Sequence, residues 1–220
     1  MATVIITGAN RGIGLELCRQ FQERGDTVIA ACRNSSEALD KLGVRVEAGV
    51  DVCSAQAVSL FVEILSGQKI DILVNCAGTL EGNTLNSLDF DSIRRQFEVN
   101  SIGPLRISAA LLPRLSAGSK IAIITSRMGS IADNDSGGQY GYRMSKTAIN
   151  MAAKSLSIDL APKNIAVGLF HPGFVRTEMT GGNGLINADE SAAGLIQRID
   201  DLSMENTGSF YHANGEPLPW

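Results

Sequence analysis

The chain has 220 residues, a length that suits one α/β domain with a large core and no need of staples. A composition of 44% apolar and 19% charged residues, with a net charge of −4 and no basic block, excludes the usual nucleic-acid footprint. Two distant histidines, His171 and His212, leave little material for a metal site, and no stretch approaches the roughly 20 apolar residues that cross a bilayer.

Short β-branched runs alternate with helical periodicity along the chain. TVIIT at 3–7 reads as a buried strand, followed by a helix from about Gly12 to Arg24. DTVIAAC at 26–32 and VRVEAGV at 44–50 read as the next two strands, and a helix near 54–66 takes Ser54 as its N-cap. IDILVN at 70–75 is a fourth strand. A long helix is expected over roughly 89–114, bent at Pro104. KIAIIT at 120–125 is a fifth strand, a second long helix covers about 140–160, and IAVGLF at 165–170 is a sixth strand. A helix near 188–199 and a short strand near 208–211 complete the pattern. Continuous apolar strands separated by helices predict a parallel sheet covered on both faces. The fold class expected is therefore α/β: a three-layer, doubly wound, Rossmann-like single domain over residues 1–220. Cys18, Cys32, Cys53 and Cys76 form no C-x-x-C and read as reduced thiols, and no leader pattern opens the chain, so a cytoplasmic location is expected.

In such a sheet ligands sit outside the carboxyl ends of the strands. The first of these ends carries Thr7-Gly8-Ala9-Asn10-Arg11-Gly12-Ile13-Gly14, a glycine-rich turn that opens a helix. Glycines there allow a sharp turn and close approach to a pyrophosphate, and the helix N-terminus supplies N–H groups and partial positive charge. The second strand ends Ala31-Cys32-Arg33, where a site for NAD would usually place an acid. Arg33 and Arg11 could instead both reach a 2′-phosphate, so NADP(H) is expected in preference to NAD(H).

Tyr142 and Lys146 stand at i and i+4, sharing one helix face. A neighbouring ammonium favours the phenolate, so a lowered tyrosine pKa is expected, suited to proton exchange with a carbonyl or alcohol oxygen. Tyr140 lies close by but has Met144 at i+4.

Taken in order, these motifs resemble the short-chain dehydrogenase/reductase family over almost the whole chain. TGANRGIG is similar to the family's cofactor loop, Asp51-Val52 to its adenine-side element, and Asn75-Cys76-Ala77-Gly78 to its N-N-A-G turn, with Cys76 as a departure. Asn100 in FEVNSIGPL, Ser126 in ITSRMGS, YRMSK and His171-Pro172-Gly173 through Val175 and Thr177 follow in sequence. ITSRMGSIADNDSGG and the tail GEPLPW resemble its C-factor and sniffer branch, which has carbonyl reductases among its relatives. The resemblance implies a tetrad of Asn100, Ser126, Tyr142 and Lys146. Tyr142 would be the acid/base, Lys146 would tune it and bind the nicotinamide ribose, Ser126 would orient the substrate oxygen, and Asn100 would anchor a water. Pro172, Gly173, Val175 and Thr177 would join the cofactor site. Ser126 lies 16 residues before Tyr142, a longer gap than usual, and by count Ser130 is a rival. Its place at a strand's carboxyl end favours Ser126.

Cys76 is either a redox handle beside the cofactor or, as the burial of free cysteine favours, a small packing residue. Leu80, Met128, Phe174 and Met179 are candidates for an apolar substrate pocket, and Thr177–Asn187 for a lid or a plain surface loop. The expected function is reduction of a ketone, aldehyde or quinone by NADPH, on a small-molecule carbonyl or alcohol substrate. The branch resemblance also implies an alternative, a signalling regulator that uses the same fold. The two long helices offer faces for a homodimer or homotetramer, as in many relatives.

Overall fold

The computed structural model describes residues 1–220. Seven strands form one parallel sheet: β1 (Thr3–Thr7), β2 (Thr27–Ala31), β3 (Arg45–Glu47), β4 (Ile70–Asn75), β5 (Leu115–Ile124), β6 (Ala166–His171) and β7 (Phe210–His212). Their spatial order is β3-β2-β1-β4-β5-β6-β7, so the chain reverses direction across the sheet between β1 and β4. That reversal is the crevice in which doubly wound sheets hold ligands.

Alternation along each strand assigns side chains to two cores. Ile5, Ile29, Leu73, Ile121 and Val167 face one layer, where they meet Phe61 of α3 (Ala55–Ile64), Ile107 and Leu111 of α5 (Gly103–Leu111), and Ile149 of α6 (Tyr140–Leu160). Val4, Ile6, Val28, Val74 and Ile124 face the other, against Leu17 and Phe21 of α1 (Gly12–Glu23) and Leu195 and Ile199 of α7 (Ala188–Asp201). Burying each of these side chains contributes roughly 1.5–3 kcal/mol, and the near-continuous apolar strands are the sequence signature of a sheet covered on both faces. Ser54 caps α3 by accepting the Ala57 N–H at 3.2 Å. The short helix α2 (Glu37–Asp40), capped by Ser36, was not signalled by any apolar period.

Two expectations change. β5 begins at Leu115 rather than 120, because a register shift between its pairs with Ile70 and Ile72 absorbs the intervening residues. The long helix expected over 89–114 is divided. α4 (Phe90–Phe97) passes into a π-helical turn at Glu98–Ile102 before α5. Pro104 is not the cause. It lies in the first turn of α5, where a missing N–H costs least.

The glycine turn leaves β1 and packs back on itself. A Cβ at Gly14 would lie 2.2 Å from the Gly8 carbonyl oxygen, so this position accepts no side chain without displacing the turn. Gly14→Ala is therefore expected to destabilise the fold by about 1–3 kcal/mol, the usual cost of overpacking. The measurement is a lower urea midpoint at unchanged m-value; an unchanged midpoint would show that the turn yields freely.

Candidate active site

A cleft of about 560 Å³ runs along the carboxyl ends of β1, β2 and β4. Its floor is the glycine turn, with Gly8, Asn10, Arg11, Gly12, Ile13 and Gly14 all lining it. Thr7 joins this floor to the neighbouring strand end: its Oγ1 accepts the N–H groups of Cys76 and Ala77 at 3.1 and 3.2 Å. No side chain caps the start of α1, which leaves its first N–H groups for a ligand. One end of the cleft holds Arg33, Asp51 and Val52, and the other Ala77, Gly78 and Thr177. Its volume, uncapped helix N-terminus and flanking arginines suit a dinucleotide.

Besides the tetrad of Asn100, Ser126, Tyr142 and Lys146, four of the expected site residues lie off the cleft surface: Asn75, Pro172, Gly173 and Val175. Asn75 is buried and donates to the Ser108 hydroxyl at 3.1 Å, and its Oδ1 is unpartnered. Pro172 offers its carbonyl to Ser191 Oγ at 2.7 Å, Gly173 makes a turn at φ +93°, and Val175 is buried and bridges to Ile186. These residues shape the wall behind the cleft. In their place the structure brings Asn34, Val50, Val99, Arg176 and Glu178 to its surface, none of which carries a motif signal. Arg11, expected free for a phosphate, is ion-paired with Glu178 on the opposite wall. The loop from Thr177 to Asn187 is pinned rather than loose: Arg176 N–H bonds the Ile186 carbonyl at 3.0 Å, and Leu185 N–H the Phe174 carbonyl at 2.7 Å. Of the four apolar pocket candidates only Met179 lines the cleft, and Phe174 stands half exposed.

Beyond Gly78 lie the groups of the Tyr–Lys helix. A Cβ built at Gly78 would stand 3.4 Å from Asn100 Oδ1 and 3.8 Å from Lys146 Nζ, so the cleft ends against both. Asn100 sits within the π-helical turn and is buried. It donates to the Thr79 carbonyl at 2.8 Å and to Ser145 Oγ at 3.0 Å, and accepts the Thr79 N–H at 2.8 Å. Both amide protons are thus spent on protein partners. Lys146 Nζ donates to the Ile124 carbonyl at 3.0 Å and stands 5.8 Å from the Tyr142 ring centre.

Ser126 and Tyr142 are neighbours and both are buried. Ser126 Oγ accepts the Met128 N–H at 3.1 Å. The turn that carries Ser126 lies directly on α6, for a Cβ at Gly129 would meet the Lys146 backbone at 2.8 Å. Thr147 Oγ1 and Asn150 Nδ2 both donate to the Gly129 carbonyl, at 3.0 and 3.3 Å. Ser130 looks elsewhere: its hydroxyl donates to the Trp220 carbonyl at 3.2 Å and accepts the Asp133 N–H at 3.1 Å. Trp220 also accepts the Ala132 N–H at 2.9 Å and packs on Phe210 with ring centres 5.7 Å apart.

The electrostatics reverse one expectation. Burial pushes the Tyr142 phenol up to about 12, and the Ser126 hydroxyl pulls only partly against it. Desolvation sets the direction, and the ammonium at i+4 is turned toward the Ile124 carbonyl and has no part in the shift. Burial brings Lys146 down to about 8, with Cys76 opposing. Cys76 is pushed up to about 12, again by burial, which makes it a neutral thiol and a packing residue. Burial also holds His171 near 3, and His212, stacked edge-on at 4.9 Å, adds to that shift.

The short chain dehydrogenase family model matches residues 2–185. A Rhodococcus protein named 1-hydroxy-2-glutathionyl-2-methyl-3-butene dehydrogenase is 43% identical over the full length of both chains. The C-signal protein of Myxococcus xanthus is 43% identical over 155 residues, covering 69% of this chain and 93% of its own. The carbonyl reductase sniffer of Drosophila melanogaster superposes with a TM-score of 0.93 at 29% identity, and covers both chains completely. A carbonyl reductase of Pseudomonas aeruginosa in complex with NADP does so at 0.87 and 33%, again over all of both chains. No helix is long and apolar enough to cross a membrane. The family match takes in the glycine turn, the Tyr–Lys helix and the turn after β6, and relatives of the C-signal and sniffer kind are alike along most or all of the chain: it belongs to the short-chain dehydrogenase family.

Proposed function

We propose that the chain is an NADP(H)-dependent oxidoreductase that interconverts a carbonyl compound and its alcohol, with Tyr142 as the acid/base. The observation that carries this reading is the meeting of Ser126, Tyr142 and Lys146 where the dinucleotide-sized cleft ends at Gly78. A bound nicotinamide supplies or accepts the hydride. The residues of this chain supply the proton and the geometry. With its pKa raised to about 12, Tyr142 is protonated at neutral pH and can donate from Oη to a substrate oxygen that gains negative charge. Ser126, beside that hydroxyl, orients and polarises the same oxygen. The Lys146 ammonium would stabilise the phenolate as it forms and, lying beside Gly78, would hold the ribose there. Asn100 positions Lys146 indirectly, by clamping Thr79 and Ser145.

The glycine turn, Arg33, Asp51, Val52, Ala77, Gly78 and Thr177 would bind the dinucleotide directly, while Asn75, Pro172, Gly173 and Val175 support them from behind. Support for the cofactor comes from the exposed Arg33 at the end of β2, where Cys32 stands in place of the usual acid, and from the Pseudomonas carbonyl reductase in complex with NADP. The Rhodococcus relative is named for the dehydrogenation of a hydroxyl-bearing glutathione conjugate, which supports an alcohol–carbonyl couple and adds such conjugates to the substrates worth trying. A homodimer or homotetramer would use the exposed Met144, Met151 and Ile158 along α6 with Ile102 and Leu105 in the adjoining π turn and α5. A second reading, a regulator that does not use Tyr142, rests on the likeness to C-signal.

Three outcomes test this. Tyr142→Phe should lower kcat/KM for carbonyl reduction by about 10²–10⁴ while the NADPH Kd is unchanged; a variant that keeps full activity would refute Tyr142 as the acid/base, and one that loses activity but keeps the full biological role would favour the regulatory reading. NADPH should bind more tightly than NADH in a direct titration, and the opposite order would refute the assignment to NADP(H). The third outcome is pH dependence. Because burial lowers the Lys146 pKa to about 8, its charge is present below that pH and lost above it. Reduction is accordingly expected to slow as pH rises through about 8, and a rate that stays level from about pH 7 to pH 9 would show that the ammonium is not needed.

A further inference from the structure

Arg11 and Glu178 face each other over the mouth of the cleft. Arg11 precedes α1 in an extended conformation, and Glu178 opens the single 3₁₀ turn that follows Thr177. The two are 167 residues apart in sequence, and their ion pair is the contact that bridges the two walls at the surface. Beneath it the walls already approach closely, since a Cβ at Gly12 would stand 3.4 Å from Thr177 Cγ2. Three arginines line this cleft, Arg11, Arg33 and Arg176. Arg176 donates to Asn187 Oδ1 at 3.1 Å, and Arg11 alone of the three is paired with a carboxylate.

We propose that Glu178 is a specificity-determining residue, whose carboxylate competes with the 2′-phosphate of the dinucleotide for the Arg11 guanidinium. The proposal rests on the NADP(H) reading above. A guanidinium fork matches one carboxylate or one phosphate face at a time. A phosphorylated dinucleotide must draw Arg11 away from Glu178, and it then leaves an unpaired carboxylate at the mouth of a cleft filled with negative charge. The unphosphorylated dinucleotide offers a hydroxyl at that point, makes no claim on Arg11, and leaves the ion pair whole. Glu178 therefore acts as the repulsive element of the site, set against the phosphate that Arg11 and Arg33 attract. Its side chain and that of Arg11 are 73% and 65% exposed, so the competition is modest and screened by salt.

Glu178→Gln keeps the side-chain length and removes the charge. Direct titration of the purified protein with NADPH and with NADH, followed by calorimetry, reads the effect without turnover. The NADPH Kd should fall about two- to five-fold, the range expected for an exposed pair, while the NADH Kd stays where it was. The gain should shrink in high salt and vanish when the same change is made in an Arg11→Gln background. An equal change for both dinucleotides would overturn the proposal, since the pair would then only hold the walls together. No change for either would overturn it as well. The wild-type ratio of the two affinities tests the cofactor reading, and the movement of that ratio on Glu178→Gln tests Glu178, so each can fail without the other.

Discussion

Asn100 donates its two amide protons to the Thr79 carbonyl and the Ser145 hydroxyl and accepts the Thr79 N–H, so one buried side chain joins the turn after β4 to the Tyr142 helix. Cut off from water, these groups would cost far more unpaired than they contribute when paired. The clamp is continued by Ser145, whose hydroxyl donates to the Tyr142 carbonyl at 2.8 Å, and by Ser101, which donates to the Ser145 carbonyl at 2.6 Å. The end of the dinucleotide cleft and the phenol–ammonium pair are therefore parts of one hydrogen-bonded body. The π-helical turn at Glu98–Ile102 is what lets Asn100 face inward between two helices that otherwise follow the ordinary pitch.

Around that body the site is assembled by close backbone approach more than by long side chains. Thr7 ties the glycine turn to the strand end beside it, and Gly129 lets the Ser126 turn rest on Lys146. Such contacts leave the groups they join little freedom to shift. The same packing raises the tyrosine pKa and lowers that of lysine. Geometry and proton affinity are consequences of one cause, the exclusion of water from the end of α6.

Much of the fold was legible because its strands are continuous apolar runs. Every predicted strand appears in the sheet, and the Tyr142–Lys146 helix starts and stops where its flanking residues indicate. What escaped was non-local. EVNSI reads as ordinary helix, and only the Asn100 contacts, to residues 21 and 45 positions away, show why the turn widens there. The Arg11–Glu178 pair joins residues from opposite ends of the chain, so a free arginine was expected where a neutralised one stands. Residue spacing disclosed the neighbouring charge on α6 but not the burial of Tyr142, and burial decided the sign of its shift.

The tail has a consequence of another kind. Trp220 is the only tryptophan in the chain, and its carbonyl is held by the backbone of Ala132 and the hydroxyl of Ser130, in the segment that begins at Ser126. Its indole rests on Phe210 of the edge strand. The molecule thus carries a single indole fluorophore, fastened to the segment that follows Ser126. A movement of that segment would be written into one emission band, with no second indole to obscure it.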